Sequence, residues 1–191
     1  MSATPAALDF LLARRSRPYK LLSGPVPDRE ALNTLLTAAA RTPDHGKLEP
    51  WRFIVLSEAA MHRLATLAVE IGEKTGKDPD SIEKMRFQLA AAPLAVAVVE
   101  SPKPSQKIPA IEQTYSAGAA CLGLLNAALA AGWGANWLSG WASHDQTFCA
   151  EGLGLSPEER LVGFVHIGTA SATPPERPRP DLDAITTWVD G

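Results

Sequence analysis

The stretch Leu94-Ala95-Val96-Ala97-Val98-Val99 contains no polar side chain. It is short, follows Pro93, and precedes Glu100 and a Pro- and Lys-rich run over 101–109, so it reads as a strand rather than a helix. A half-solvated strand alternates apolar and polar residues. One without alternation is covered on both faces. The rest of the chain must therefore supply two covering layers.

Upstream, Asp80 with Glu83 three residues later resembles a capping box, predicting a helix that ends before Pro93. Ser57 caps a helix predicted to reach about Thr75. Trp51 to Leu56 (WRFIVL) reads as a second strand, and Thr42-Pro43-Asp44-His45-Gly46 as a loop. Asp28 to about Arg41 places Leu32, Leu35 and Leu36 on one helical stripe. The leading helix opens on Thr4-Pro5 as cap and first residue. It carries Leu8, Leu11 and Leu12, and it ends in Arg14-Arg15-Ser16, with Pro18 marking the stop.

Downstream, Ile111 to Ala131 reads as a helix. Between Ala117 and Trp133 its one polar residue is Asn126. That run is at the short edge for a membrane span, is rich in Ala and Gly, and lacks flanking Lys or Arg. It reads instead as a helix buried on all sides. Gly132 to Gly140 holds turns and a short strand around Trp137. Asp145 to Gly152 reads as a short helix, and Ser156-Pro157-Glu158-Glu159 has room for one turn. Leu161 to Gly168 is a further strand. Ala172 to Asp181 is extended, and Trp188-Val189 suggests a terminal edge strand. About four strands and five or six helices place the chain in the α+β or α/β class.

The chain has 191 residues, 46% hydrophobic and 20% charged, which suits one folded domain. Its 18 basic and 21 acidic residues, net −3, argue against a nucleic-acid partner. Cys121 and Cys149 form no CxxC or Cys/His cluster, so no metal site is expected. Two cysteines do not make a disulfide scaffold. The acid-bearing N-terminus lacks the basic start of a signal peptide. A reduced, cytoplasmic location is the expectation, with no membrane partner.

Four segments have side chains suited to chemistry. Arg14-Arg15-Ser16 can clamp a phosphate by forked, charge-assisted hydrogen bonds, or simply complement a helix C-terminus. Arg41-Thr42-Pro43-Asp44-His45-Gly46-Lys47 is a polar helix-to-strand loop. There His45 is either an acid/base or orienting group, or an exposed loop residue beside an Asx turn. Trp137-Leu138-Ser139-Gly140 allows a flat ligand near the backbone, or is core and turn. In Glu176-Arg177-Pro178-Arg179-Pro180 the prolines keep the chain extended and both arginines free. Sequence patterns of serine hydrolases, P-loops, zincins and dinucleotide-binding folds are absent.

Taken in order, these segments resemble the nitroreductase family, in its small single-domain branch. The resemblance rests on Arg14-Arg15-Ser16, on Arg41 to His45 with Pro50-Trp51, and on Glu112-Gln113. It continues through Ser116 to Ala120, Gly132, Gly134, Trp137 and Ser139-Gly140, then Leu161 to Thr169 and the Arg-Pro-Arg-Pro tail. It implies an α+β three-layer sandwich with a central, mostly antiparallel sheet flanked by helices. One domain would span 1–191, with 172–191 an extended tail. It implies an intertwined homodimer with FMN at the interface, NADH or NADPH as reductant, and ping-pong reduction of a nitroaromatic, quinone or similar small-molecule acceptor. A non-catalytic flavin-storage module or an atypical flavin enzyme is the alternative.

Carried over by residue, the resemblance gives FMN contacts to Arg14, Arg15, Ser16, Arg41, His45, Trp137, Leu138, Ser139, Arg177 and Arg179. Arg41 and His45 would come from the partner subunit. Ala127, Ala128, Leu129, Ala130, Ala131 and Gly132 fall where the branch meets the nicotinamide nucleotide. Arg15 is also the candidate cation beside the flavin ring's N1/O2 edge. Leu138 stands where some relatives carry a basic residue. The resemblance names no catalytic residue.

Overall fold

In the computed structural model, which describes residues 5–191, α1 (Pro5–Ala13) and β1 (Leu22–Ser23) precede α2 (Arg29–Ala39) and β2 (Trp51–Ser57). Next come α3 (Glu58–Lys74), α4 (Pro79–Ala90), β3 (Leu94–Glu100) and α5 (Ala110–Ala130). The chain continues with β4 (Gly134–Leu138), α6 (Gln146–Leu153), β5 (Arg160–Ala170) and α7 (Leu182–Ile185). The Thr4 cap lies outside the described residues.

All five strands form one antiparallel sheet in the order β1-β5-β3-β2, with β4 also pairing β5. Every residue of β3 is buried. Ala95, Ala97 and Val99 pack with Met61, Leu64, Leu89, Phe148 and Phe164 under α3, α4 and α6. Leu94, Val96 and Val98 pack with Leu35, Cys121, Leu124, Val165 and Ile167 under α2 and α5. The unbroken apolar run therefore does lie at the middle of three layers, α+β in class.

Side chains start the helices. Asp28 accepts from the Ala31 N–H at 2.8 Å, Ser57 from Ala60, and Asp145 from Phe148. Helix α4 begins two residues earlier than the sequence suggests: Asp78 caps it by accepting from Ser81, and Pro79 follows. A proline there gives up an N–H that has no helical partner anyway. Glu83 instead pairs with Arg86 at 2.6 Å.

Three further expectations are corrected. The sheet has five strands, because the two-residue β1 is too short to show a pattern. Trp188 and Val189 form no strand and are 83% and 86% exposed. Two apolar residues set no register without a buried face, and β5 is already paired with three strands. Helix α5 is not buried on all sides. Ala117, Ala120, Cys121, Leu124 and Ala128 face the core, while Ile111, Tyr115 and Leu122 are exposed.

Candidate functional site

Helix α1 ends at Ala13, so Arg14-Arg15-Ser16 lies just beyond it. The Arg14 N–H still donates to Phe10 O at 2.8 Å. The Arg17 N–H donates to Ala135 O at 2.8 Å, which lays this segment beside β4. Between them opens a cleft of about 670 Å³. Arg14, Arg15 and Arg17 line one side, and Leu129, Gly132 and Thr169 the other. Gly134 at the start of β4 is tightly packed: a Cβ there would stand 2.6 Å from Leu22 and 2.8 Å from Ala170.

The tail folds back onto this cleft. Arg15 Nη1 donates to the Pro175 carbonyl. Glu176 meets Arg179 at 2.9 Å and Arg15 at 3.6 Å. Burial lowers the pKa of Arg14, and the neighbouring charges of Arg179 and Arg15 lower it further. Arg14 Nη2 donates to Ser16 Oγ at 3.2 Å, but its buried Nε has no partner among the described residues. Three guanidiniums thus converge from sequence positions 14, 15 and 179. Arg177 is exposed, and its backbone N–H donates to Glu176 at 3.0 Å.

The loop after α2 is held from α5. His45 Nδ1 lies 2.7 Å from Glu112 Oε2. Ser116 Oγ donates to Pro43 O at 2.9 Å and accepts from Trp51 Nε1 at 3.1 Å. Asp44 accepts from the Leu48 N–H at 2.6 Å. Gly46 takes φ +76°, a conformation that favours glycine. Arg41 is exposed at the far end of α2.

These two groups of residues are not brought together within one chain. Glu112 lies in the first turn of α5 and Leu129 near its end, about 25 Å apart at the helical rise. Trp137 and Leu138 of β4 pair with Val165 and Phe164 of β5, and Ser139 is exposed beyond them. Of the segment 127–132, Leu129 and Gly132 line the cleft, whereas Ala128 is fully buried and presents nothing to it. Sequence reasoning missed Arg17 and Trp133 as cleft residues. Both were legible by proximity, since Arg17 follows Ser16 and Trp133 lies between Gly132 and Gly134.

A second groove of about 950 Å³ lies between α5, α6 and the start of β5, and includes Cys149. Burial pushes both thiols up, Cys149 to about 11, so neither supplies a thiolate near neutral pH. Among the described residues no cluster of His, Cys, Asp and Glu could hold a metal ion. No described helix is long and apolar enough to cross a membrane.

The chain matches the Nitroreductase family over residues 11–169. It is 34% identical, over 163 residues, to a protein of Escherichia coli K12 named "Putative NAD(P)H nitroreductase YdjA", covering 85% of this chain and 87% of that one. Its fold is similar to that of a nitroreductase-like family protein from Bacillus cereus, with TM-score 0.80, 21% identity and both chains covered in full. It is also similar in fold to the FMN and NADPH-dependent nitroreductase NfnB from Sphigopyxis sp. strain HMH, with TM-score 0.72 and 19% identity over 96% of this chain and 99% of that one. The order of the motifs, the three-layer antiparallel sandwich and the match across most of the chain lead to one conclusion: the chain belongs to the Nitroreductase family.

Proposed function

We propose that this protein is an FMN-dependent NAD(P)H oxidoreductase, active as a homodimer, that passes reducing equivalents to a nitroaromatic, quinone or similar small acceptor. The observation that carries this reading is the cleft walled by Arg14, Arg15 and Arg17, to which Glu176 ties Arg179 through Arg15, in a chain of net charge −3. Guanidiniums repel one another, and bringing three together calls for an anion. Arg14 lines the cleft, and its buried Nε has no partner among the described residues, so this guanidinium is short of the acceptors that a phosphate monoester would supply. These residues therefore fit the phosphate end of FMN.

In this reading Arg14, Arg15 and Arg179 neutralise the phosphate, Ser16 supports Arg14, and Arg177 stays at the rim. The pairing of Arg15 with Glu176 in that cluster favours a phosphate role over one at the ring edge. From Gly134 the strand β4 extends about 15 Å to Ser139. The segment Trp137 to Ser139 would then lie along the ring. Leu129 and Gly132 border the opening through which the nicotinamide nucleotide would enter. FMN, when bound, supplies the redox chemistry; the protein supplies binding, orientation and electrostatics.

A homodimer resolves the 25 Å separation, which is about the length of α5 between its two sites. A two-fold axis that pairs α5 with its copy in antiparallel fashion sets the N-terminal half of one against the C-terminal half of the other. His45 of the partner subunit would then reach the cleft, with Glu112 holding its Nδ1. The exposed Leu8, Leu11 and Leu12 on α1 and Ile111, Tyr115 and Leu122 on α5 supply the apolar surface such an interface buries. Two buried, free cysteines accord with a reduced, cytoplasmic setting.

The test is the visible spectrum of the purified protein, repeated after anaerobic addition of NADH and then NADPH. Flavin bands that bleach support the oxidoreductase and show its preferred nucleotide. Bands that persist support a storage role or an atypical flavin enzyme. Protein that takes up no FMN overturns the reading.

A further inference from the structure

Glu176 occupies an unusual place in the arginine cluster. Its carboxylate meets Arg179 at 2.9 Å and Arg15 at 3.6 Å, and Oε1 accepts the Arg177 N–H at 3.0 Å. Arg15 simultaneously donates to the Pro175 carbonyl, so the tail is tied to the cleft by backbone and side chain together. The Arg15 side chain is 17% exposed, whereas Glu176 is 63% exposed. The carboxylate thus reaches from solvent onto Arg15, which lines the cleft, and onto the half-exposed Arg179 beside it. The Arg177 N–H, then Arg179 and Arg15, hold its carboxyl below the usual range, so it is ionised at neutral pH.

A phosphate monoester offers more charge and more acceptor oxygens than a carboxylate. It needs the same Nη groups of Arg15 and Arg179. An anionic side chain and an anionic ligand cannot both sit on them without mutual repulsion.

We propose that Glu176 is a stand-in anion, which occupies Arg15 and Arg179 before ligand binding and must be displaced when a phosphate-bearing ligand takes them. This rests on the reading of the arginine cluster as a phosphate site. Its consequence is opposite in sign to that of an ordinary supporting residue. A residue that merely positions the arginines helps binding, and its loss weakens the complex. A stand-in anion competes with the ligand, and its loss strengthens the complex. Binding would also follow opening of the Glu176 contacts, so the apparent affinity is the intrinsic affinity scaled by the fraction of chains that are open.

The experiment uses full-length protein stripped of flavin. FMN is titrated by quenching of its fluorescence, and association is followed by stopped flow, for wild type, Glu176→Gln and Asp183→Asn. Asp183 lies on the same tail and makes no side-chain contact with the cluster, so its variant controls for net charge. Glu176→Gln is expected to bind FMN about threefold tighter or more. The wild-type association rate should level off as FMN is raised, and the variant should reach a higher plateau. Asp183→Asn should match wild type. Glu176→Gln binding equal to or weaker than wild type, or an equal gain in Asp183→Asn, overturns the proposal and leaves the phosphate site standing. If instead Arg14→Ala retains wild-type FMN affinity and inorganic phosphate fails to compete with FMN, the phosphate site itself is overturned, and the proposal with it.

Discussion

At the scale of single residues, Arg14 and His166 depend on opposite solutions to burial. Arg14 keeps its charge, because a guanidinium stays protonated even where burial lowers its pKa. Replacing it with Ala removes a charge-assisted contact, which costs about 1.5–3 kcal/mol of FMN binding. The expected result is loss of flavin on gel filtration, with an unchanged circular-dichroism spectrum. His166 on β5 is fully buried, lies edge-on to Tyr19 at 6.3 Å, and has no partner for either ring nitrogen among the described residues. Burial lowers its pKa from 6.5 to about 4, so the folded protein holds it neutral. Between those values the unfolded chain binds the additional proton. Stability therefore falls as pH drops from 6.5 towards 4, by on the order of 3 kcal/mol. Urea midpoints measured across that range should show this slope, and His166→Met should flatten it. Below it Glu159, held near 2 by Arg52 at 2.6 Å, continues the loss from about 4.5 downward.

At the scale of elements, β4 and β5 approach so closely that one position admits no side chain. A Cβ on Gly163 would collide with the Trp137 indole and stand 2.9 Å from Leu138 O. Gly163→Ala must push Trp137 out of place, costing about 1–3 kcal/mol by overpacking. The urea midpoint should fall, and flavin affinity should fall with it if Trp137 and Leu138 flank the ring. The short β1 and the early start of α4 show where sequence pattern was a weak guide. Two residues carry no periodicity, and the Asp80/Glu83 pattern pointed two residues past Asp78, the cap that the packed helix uses. The loop 41–47 was legible as polar and irregular. Its shape was not, because Glu112 and Ser116, far along the chain, impose it.

At the scale of the whole molecule, apolar surface remains exposed on α1, on α5 and in the tail, where Leu182, Ile185, Trp188 and Val189 are uncovered. In the proposed homodimer a second copy of the chain covers the α1 and α5 surfaces. Leu122→Glu places a charge at the middle of the α5 surface. It is expected to yield a monomer by light scattering and to lose flavin in parallel, since each site would draw His45 from the partner subunit. A monomer that retains full flavin content would show that one chain completes the site alone.

The amino-acid sequence by itself determined the layers and the motifs. The apolar run at 94–99 demands cover on two faces, helical stripes and capping residues supply the cover, and Arg14-Arg15-Ser16 offers either a phosphate clamp or a complement to a helix C-terminus. These are local properties, set by periodicity and by side-chain chemistry within a few residues. Tertiary structure decided what those residues do together. It brought Arg179 and Glu176 back across more than 150 positions to the first helix, left Ala128 in the core while Leu129 faced the cleft, and set His45 at the opposite end of α5. Such juxtapositions depend on how far the chain travels between contacts and on which face each helix buries. Packing of the complete molecule selects both.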